Sequence, residues 1–451
     1  MAEGGGSEIA PGRLLVGPPL KSVLIFATPL LIGNLFQQLN TIVDTIVVGR
    51  FLGASLLAAA GSTVAISTLI LGFASGFTYG FAIRTARAVG SGDLGATRRF
   101  VLSGYALTML GAIALTAVAW AALPGLLDLL GTPPQVLDPA ILFARVGLLG
   151  TLPTMLYNFA AATYRAFGDS RTPLYFIGAS CVLNVVLSVL LVRFLGAGLI
   201  GVALATVVST SAAAVTSIIC LGRSFPAARF SPAQTMSVRV PGAVPLLRMG
   251  LPMGLQSSLI TLGSLVVQWS VNRLGVEAVA AFTICSRIDV VAIAPMTSLG
   301  IAIANFVAQN YGARQFERCR RTVSRCSALA LAYGCVVGAA CIGLGPEVVG
   351  VLIVRDAQVQ ELAETMLLIS GSMYFALAAL FVYRNALQGM GRPVGPTLAG
   401  LLELLVRLVG SVVLVGRYGF MGVCLANSLA WVVDSALLVV LYYRAVRRRV
   451  P

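Results

Sequence analysis

Four acidic residues stand out within the long apolar stretches of this sequence, where a charged side chain has to face a cavity or a partner. They are Asp44, Asp289, Glu403 and Asp434. A carboxylate at the centre of a bilayer costs about 2.5–3.5 kcal/mol or more, so such residues usually serve a site. The chain contains no histidine, which removes imidazole as a proton switch or triad base. Any proton chemistry in these stretches therefore rests on carboxylates.

Asp44 has the strongest local context of the four acids. Gln37, Asn40 and Thr41 precede it by seven, four and three residues. In a helix this spacing places all four side chains on one polar stripe of an otherwise apolar surface. The stripe fits either a binding site or hydrogen bonding between packed membrane helices.

The other three acids have less distinctive surroundings. Glu403 and Arg407 are four residues apart, so they can form an ion pair on one helical face, and either a structural or a substrate-binding role stays open. Asp289 lies two residues from Arg287, a spacing that prevents pairing along the helix and favours a cavity. The face that carries Asp434 could pack against another helix or lie near a membrane boundary.

Composition places these acids in membrane helices. Hydrophobic residues make up 58% of the chain and charged residues only 10%, compared with about 25% charged residues in soluble domains. The apolar stretches are continuous and about 20 residues or longer, which favours helices over an outer-membrane barrel. The sequence thus predicts an all-α polytopic protein with twelve spans, at residues 22–48, 56–83, 101–123, 140–163, 173–196, 199–222, 246–272, 278–309, 323–345, 361–387, 393–416 and 419–443.

The apolar pattern occurs twice along the chain, and the two copies are related by a nearly constant offset. Corresponding positions include Pro29 and Pro252, Gly53 and Gly275, Arg98 and Arg320, and the turn glycines Gly168 and Gly389. Such duplicated bundles usually hold a small-molecule site and move one half against the other. We predict an N-terminal six-helix lobe at 1–222, a cytoplasmic linker at 223–245, and a C-terminal six-helix lobe at 246–451.

The net charge of +15 reflects topology rather than a nucleic-acid partner. With the N-terminus inside, most of the 31 basic residues fall in the termini and in the loops after the even-numbered spans, and we place only Arg287 and Arg407 within spans. This distribution follows the positive-inside rule, so both termini are expected in the cytoplasm and the two repeats are parallel. Residues 1–20 lack an apolar core with a small-residue cleavage site, and we expect no cleaved signal.

Several segments together resemble one transporter family. They are PLLIGNLFQQLNTIVDTIVVGRFLG in the first span, the turn GDSRTPLYF, the opening LPMGLQ of the seventh span, and FVYRNALQGMG followed by LLELLVR. The sequence resembles multidrug and toxic compound extrusion (MATE) transporters over nearly its whole length, and the last segments resemble a bacterial multidrug-exporter branch. The resemblance implies a V-shaped pair of six-helix lobes that exports organic cations or amphiphiles in exchange for protons or sodium ions.

The resemblance also suggests a coupling site in the first lobe. In studied members, an acid on the first helix, fifteen residues after a proline, joins an Asn and an Asp on the fifth helix and a Thr on the sixth. Here Pro29 and Asp44 keep that separation, Asn184 matches the Asn, and Thr206 matches the Thr. Ser188 stands where the second acid is expected. A hard-cation site with one carboxylate fewer binds sodium less well, so we expect proton coupling in preference to sodium coupling.

We therefore expect a secondary antiporter with alternating access in the inner membrane of a bacterium, with no enzymatic activity and no cofactor or structural metal. Asp44, Asn184, Ser188 and Thr206 form the expected ion-coupling site, and Pro29 is the expected hinge. The expected substrate cavity is lined by Gln37, Asn40, Thr41, Tyr157, Gln256, Asp289, Glu403 and Arg407. Organic cations or amphiphiles and membrane lipids are the expected partners of a monomer that binds no nucleic acid.

Three other functions remain open from the residues alone. A flippase for lipid-linked precursors would also have repeated helices, although we expect such a protein to carry a more basic central cavity. An exporter of one specific metabolite would share every feature above. A membrane enzyme would need a catalytic constellation, and a chain with no histidine and few intramembrane polar clusters offers little material for one.

Overall fold

The computed structural model describes residues 14–129, 131–231, 240–352 and 356–447. Eleven single helices in these ranges are long and apolar enough to cross a membrane, and one bent pair brings the number to twelve. The predicted all-α fold with twelve spans is confirmed, and the described residues contain no β-strand. The helices are α1 (Pro19–Gly53), α2 (Ser55–Ser91), α3 (Leu94–Leu129), α4 (Pro134–Leu149 and Thr151–Ala166), α5 (Thr172–Val189), α6 (Gly198–Ser224), α7 (Val240–Asn272), α8 (Val276–Gly312), α9 (Phe316–Leu352), α10 (Ala357–Gly389), α11 (Val394–Tyr418) and α12 (Phe420–Arg447).

Left-handed backbone turns recur at equivalent positions of the two repeats. Gly53 (φ 84°) separates α1 from α2, and Gly275 (φ 109°) lies between α7 and α8. Glycine suits both positions because it adopts positive φ without a steric penalty. Gly92 (φ 73°) ends α2, and its counterpart in the second repeat, Arg314 (φ 59°), is the one non-glycine residue with positive φ in the described chain. The duplication is thus expressed in the backbone as well as in the sequence.

One of the paired turn positions was wrong. The structural counterpart of Gly168 (φ 89°) is Gly391 (φ 75°), which follows α10, and not Gly389. Gly389 lies within α10, where a Cβ atom would be 2.6 Å from the carbonyl oxygen of Ala304. The lack of a side chain at Gly389 therefore allows α10 to pack closely on α8, and the turn begins two residues later.

Two helices depart from a straight course. The two parts of α4 meet at an angle of 41° next to Gly150. Helix α5 continues into a π-helical turn at Leu190–Phe194.

Pro29, the expected hinge, lies inside α1, while the non-helical dihedral angles of the stretch Pro19–Ser91 occur at Gly53. The hinge role of Pro29 stays a prediction.

The chain forms two compact units. The first consists mainly of Thr28–Gly254 and the second mainly of Leu255–Val307 together with the chain from Gln315 onward. Two short segments belong to the unit other than the one that contains most of their half of the chain: Pro19–Ala27 belongs to the second unit and Ala308–Arg314 to the first. The lobe boundaries at residues 222 and 246 stay a prediction.

The core of the first unit is rich in aromatic rings. Phe81, Tyr105 and Phe159 are fully buried, and the rings of Tyr105 and Phe159 meet edge to face with centroids 4.9 Å apart. The start of the predicted linker packs on this core, because Tyr105 donates a hydrogen bond to the carbonyl oxygen of Ala228 (3.5 Å). Residues 232–239 of that linker lie outside the described residues, and α7 begins at Val240.

Small residues bring α9 and α10 together in the second unit. A Cβ atom at Gly338 would overlap the carbonyl oxygen of Gly371, and one at Gly371 would be 2.9 Å from the carbonyl oxygen of Gly338. Gly334, one turn earlier, also lies close to the backbone of Tyr374. Membrane helices associate through such close backbone contacts because lipid provides no hydrophobic drive.

We expect Gly338→Leu to destabilise the protein, because the added side chain must push α9 away from α10. Overpacking of this kind costs about 1–3 kcal/mol. The control is Gly343→Leu on the same helix, where a Cβ atom meets no other atom within 4 Å. Melting midpoints of the two variants in detergent provide the test, and equal midpoints would contradict the packing described for Gly338.

Candidate functional site

Asp44 on α1 contacts α5 and α6 of the first unit through one amide. The side-chain nitrogen of Asn184 donates to Oδ1 of Asp44 (3.0 Å) and Oδ1 of Asn40 (3.1 Å), and its oxygen accepts from the hydroxyl of Thr206 (3.0 Å). We assign this amide orientation because it satisfies all of these groups together. Three of the four predicted coupling residues, with Asn40, therefore form one hydrogen-bonded cluster.

Helical spacing positions the cluster. Asn40 and Asp44 are one turn apart on α1, so both present oxygens to the same amide. Asn184 is 1% exposed, whereas Asp44 is half-buried and Thr206 is exposed. The amide is thus fixed inside the unit, whereas the acid keeps part of its surface exposed.

The cluster contains no positive charge. Among the described residues, the basic nitrogens within 4.0 Å of a carboxylate oxygen belong to Arg320, Arg321, Arg384 and Arg407, and none of these ion pairs involves Asp44. A neutral amide stabilises an anion in a low-dielectric medium much less than a cation does. Asp44 therefore has an electrostatic reason to take up a proton or a cationic ligand.

Ser188 lies on α5 one turn after Asn184. It is fully buried, and its hydroxyl has no hydrogen-bond partner among the described residues. A buried hydroxyl without a partner is uncommon in folded proteins. The structure thus leaves a polar atom free at the position where the expected second carboxylate is missing.

The structure does not bring the remaining first-lobe residues into this cluster. Gln37 and Thr41 are exposed on α1, and the hydroxyl of Thr41 donates to the carbonyl oxygen of Gln37 (3.2 Å). Tyr157 is 8% exposed, and its hydroxyl donates to the carbonyl oxygen of Pro173 (3.1 Å). Tyr157 thus connects α4 to the start of α5, and its place in the substrate cavity stays a prediction.

A buried ion-pair network crosses the second unit. One nitrogen of Arg384 on α10 binds Glu403 of α11 (2.9 Å) and Asp434 of α12 (2.6 Å). Arg407, one turn after Glu403, binds the other oxygen of that carboxylate (2.9 Å) and donates to the carbonyl oxygen of Ile260 on α7 (3.4 Å). The four charged residues are at most 8% exposed, and their formal charges cancel.

Two further polar contacts connect helices of this unit. Asp289 on α8 accepts a hydrogen bond from the hydroxyl of Tyr374 on α10, and it forms no ion pair within the described chain. Gln388 donates to Gln256 on α7 (2.9 Å). The predicted cavity residues Asp289 and Gln256 are thus engaged with neutral partners, separately from the Arg384 network.

Comparison with known proteins identifies the fold and the family. The MatE family model matches residues 29–190 and again residues 252–413. The chain belongs to the MatE family. These proteins are multidrug and toxic compound extrusion transporters, and the double match confirms the duplicated architecture. The two matches begin at Pro29 and Pro252, and the same offset separates their last residues.

Individual relatives agree with this assignment. The chain is 30% identical to the probable multidrug resistance protein YoeA of Bacillus subtilis over 310 residues, covering 67% of each chain. It is 24% identical to a FAD transporter of Shewanella oneidensis, covering 88% of each chain. A solved outward-facing structure of a multidrug resistance MATE family transporter superposes with a TM-score of 0.89 at 21% identity over 99% of both chains, which shows a shared fold.

The offset between the two family matches relates the two charged clusters to each other. The shift that carries Pro29 onto Pro252 also carries Asn184 onto Arg407, Asn40 onto Gly263 and Asp44 onto Val267. In the second unit Arg407 lies against Gly263, where a Cβ atom would be 3.0 Å from its Nη1. The second repeat of this MatE protein therefore carries valine and arginine where the first carries an acid and an amide.

Arg384 is the residue that sequence reasoning missed. We placed only Arg287 and Arg407 within spans, but the structure also places Arg384 inside a helix, α10, with 8% exposure. The signal was present, because position 384 falls within the predicted span 361–387. Its two acidic partners, Glu403 and Asp434, come from different helices, and a single sequence does not show that they converge.

Among the described residues, no group of three or more Cys, Asp and Glu side chains is arranged to hold a metal ion. The residues of the first cluster are one carboxylate, two amides and a hydroxyl. Such a set offers oxygens to a monovalent cation but supplies a single negative charge.

We expect Arg384→Met to destabilise the protein by about 3–5 kcal/mol, because it leaves buried acids with too few positive partners. The matched control is Arg287→Met, since Arg287 is exposed on α8 and forms no ion pair in the described chain. The double variant Arg384→Met with Asp434→Asn should recover part of the loss by restoring neutrality. Melting midpoints measure all three, and similar midpoints for the Arg384 and Arg287 variants would contradict the network.

Proposed function

We propose that this MatE-family protein is a secondary antiporter that exports organic cations or amphiphiles in exchange for protons. The observation that carries the proposal is the state of Asp44, which is half-buried and receives a hydrogen bond from Asn184 but has no cationic partner in the described chain. Glu403 and Asp434, by contrast, are both paired with arginine. Asp44 is thus a better candidate than these two acids for an exchangeable charge, and Asp289, which also has only a neutral partner, lies outside the Asn184 cluster.

Competition at Asp44 couples the two fluxes. Removing water from a carboxylate favours its protonated form, whereas an approaching organic cation favours the ionised form. A proton taken up from one side displaces the substrate, and a substrate bound from the other side displaces the proton. Alternating access, which is typical of this family, converts that competition into export. Asn184 and Thr206 hold the carboxylate in place during the exchange.

The composition of the cluster favours protons over sodium. Ser188 provides a hydroxyl where a second carboxylate would give the stronger attraction for a metal cation. Its oxygen is buried without a partner in the described chain. This oxygen could serve as a further ligand for a cation, but it carries no charge. We infer that sodium binds weakly and that the proton gradient is the main driving force.

The charge arrangement also bears on the class of substrate. Arg384 and Arg407, both inside helices of the second unit, are already neutralised by Glu403 and Asp434. They are therefore poor candidates to hold the phosphates of a lipid-linked precursor. The named relatives include multidrug resistance proteins and a FAD transporter, so a dedicated metabolite exporter is the alternative outcome of the transport test below.

We further propose a monomer in the bacterial inner membrane, with both termini in the cytoplasm and no enzymatic activity or cofactor. The distribution of arginines supports this orientation through the positive-inside rule. The residues from Arg448 onward lie outside the described chain. The relevant test is transport by purified protein in liposomes, with proton and sodium gradients imposed separately against cationic and neutral amphiphiles. Export driven only by sodium, or only of anionic cargo, would contradict the proposal.

We expect Asp44→Asn to abolish proton-driven export while leaving the protein folded, because the amide keeps the shape but cannot exchange a proton. The control is Asp93→Asn before α3, where the acid caps a helix by accepting from the backbone N–H of Ala96 (2.8 Å) and an amide oxygen can do the same. Dye efflux from liposomes and the melting midpoint give the two measurements. Normal efflux by the Asp44 variant would exclude it as the coupling residue.

We expect Ser188→Asp to gain sodium-dependent export, because a second carboxylate strengthens cation binding in a low-dielectric pocket. Ser188→Asn is the matched control, since it adds similar volume without charge. Efflux is measured at symmetric pH with and without a sodium gradient for all three proteins. A strong sodium response by the unmodified protein, with no need for a proton gradient, would show that Ser188 does not determine the coupling ion.

A further inference from the structure

A cavity of about 280 Å3 lies between α9, α10 and α12 of the second unit, and no residue of either charged cluster lines it. Its lining includes Arg320 and Ser324 from the first turns of α9, Tyr383 from α10, and Tyr442 and Arg447 from the last turns of α12. The volume is close to the lower end of small-molecule sites. The cavity therefore has room for one compact polar group.

Three tyrosine rings form one wall of this cavity. The ring centroids of Tyr383 and Tyr442 are 5.2 Å apart, those of Tyr442 and Tyr443 are 5.5 Å apart, and those of Tyr383 and Tyr443 are 6.1 Å apart. Tyr383 is fixed further by a hydrogen bond from Ser327 to its hydroxyl (3.1 Å). Packed rings with few rotatable bonds give the wall a defined shape without a ligand.

The hydroxyl of Tyr442 is the first sign of a ligand. Tyr442 is 2% exposed, and its hydroxyl has no hydrogen-bond partner among the described residues. Tyrosine hydroxyls usually find a partner when they are buried. Tyr442 also lines the cavity, and we expect its hydroxyl to donate to an acceptor bound there.

The charge of the cavity defines the acceptor. Arg320 and Arg447 both line it. Glu317 is the acid nearest to Arg320, but its carboxylate lies closer to Arg321 (2.8 Å) than to Arg320 (3.7 Å). Arg447 forms no ion pair within the described part of the chain. Two guanidinium groups and a hydroxyl donor together match the oxygens of a phosphate group.

The position of the cavity indicates the source of that phosphate. α9 begins at Phe316 and α12 ends at Arg447, so the cavity lies where these membrane helices reach a bilayer surface. Basic pockets between membrane helices at that level bind anionic head groups, and tyrosine suits the same interface. We propose that the cavity bounded by Arg320, Tyr442 and Arg447 binds the phosphate of an anionic phospholipid. The proposal requires only that these helices span the membrane and is independent of proton coupling.

The test is native mass spectrometry of the full-length protein with dioleoylphosphatidylglycerol and dioleoylphosphatidylcholine. We expect the protein to retain phosphatidylglycerol with a preference of about tenfold, which the double variant Arg320→Gln with Arg447→Gln abolishes. Hydrogen bonds to a charged group have about this effect on affinity. The matched control is Arg325→Gln with Arg444→Gln, which removes two exposed arginines of the same helices that do not line the cavity.

A second variant keeps the proposal testable if the double variant fails to fold. Tyr442→Phe removes only the buried hydroxyl, so in lipid-free detergent it should melt no lower than the unmodified protein, yet phosphatidylglycerol should stabilise it less. A lower melting midpoint without lipid would reveal a structural partner for the hydroxyl and overturn the proposal. Equal retention of the two lipids, or release of phosphatidylglycerol by millimolar glycerol 3-phosphate, would also overturn it, the latter by assigning the site to a soluble phosphate.

Discussion

A charge inside a membrane helix has to be neutralised by the protein, because lipid cannot solvate it, and this constraint determines how the polar residues of the structure are arranged. In the second unit Arg384 and Arg407 neutralise Glu403 and Asp434, while Asp289 accepts a hydrogen bond from the neutral hydroxyl of Tyr374. In the first unit Asp44 likewise receives a hydrogen bond from a neutral amide. These acids thus divide into two that arginine neutralises and two, Asp44 and Asp289, that can gain from a mobile positive charge.

The same duplicated scaffold supports both arrangements. Left-handed turns at Gly53 and Gly275 divide equivalent helices, while the offset between the family matches relates Asn184 to Arg407 and Ser188 to Ser411. The hydroxyls of both serines are buried without a partner among the described residues. Divergence between the repeats has therefore changed the charges and retained the backbone plan.

Much of this organisation could be predicted from local sequence, because it depends on local physics. Span length, the apolar repeat and the spacing of Asn40 and Asp44 each follow from helix geometry and the thickness of a bilayer. The pairing of Glu403 with Arg407 also follows from helical spacing, and the structure forms that pair at 2.9 Å. These features need no knowledge of how distant helices pack.

The features that sequence did not reveal depend on contacts between distant segments. Arg384 and Asp434 are 50 residues apart and meet only because α10 packs on α12. The hydroxyls of Ser188 and Tyr442 have no hydrogen-bond partner within the described chain. This too depends on how the helices pack, because the sequence does not show which groups will surround a serine or tyrosine hydroxyl. Tyr157 shows the opposite case, in which a polar aromatic residue suited to a ligand contacts a backbone carbonyl of Pro173.

The most direct test of the central claim is to measure the protons released when an exported organic cation binds to the purified protein. Titration calorimetry in buffers of different ionisation enthalpy gives this number without any membrane gradient. If Asp44 exchanges a proton for the substrate, on the order of one proton is released for each cation bound at a pH where the site is protonated. The Asp44→Asn protein should release none. Binding without proton release, or equal release by both proteins, would contradict the exchange of proton and substrate at Asp44.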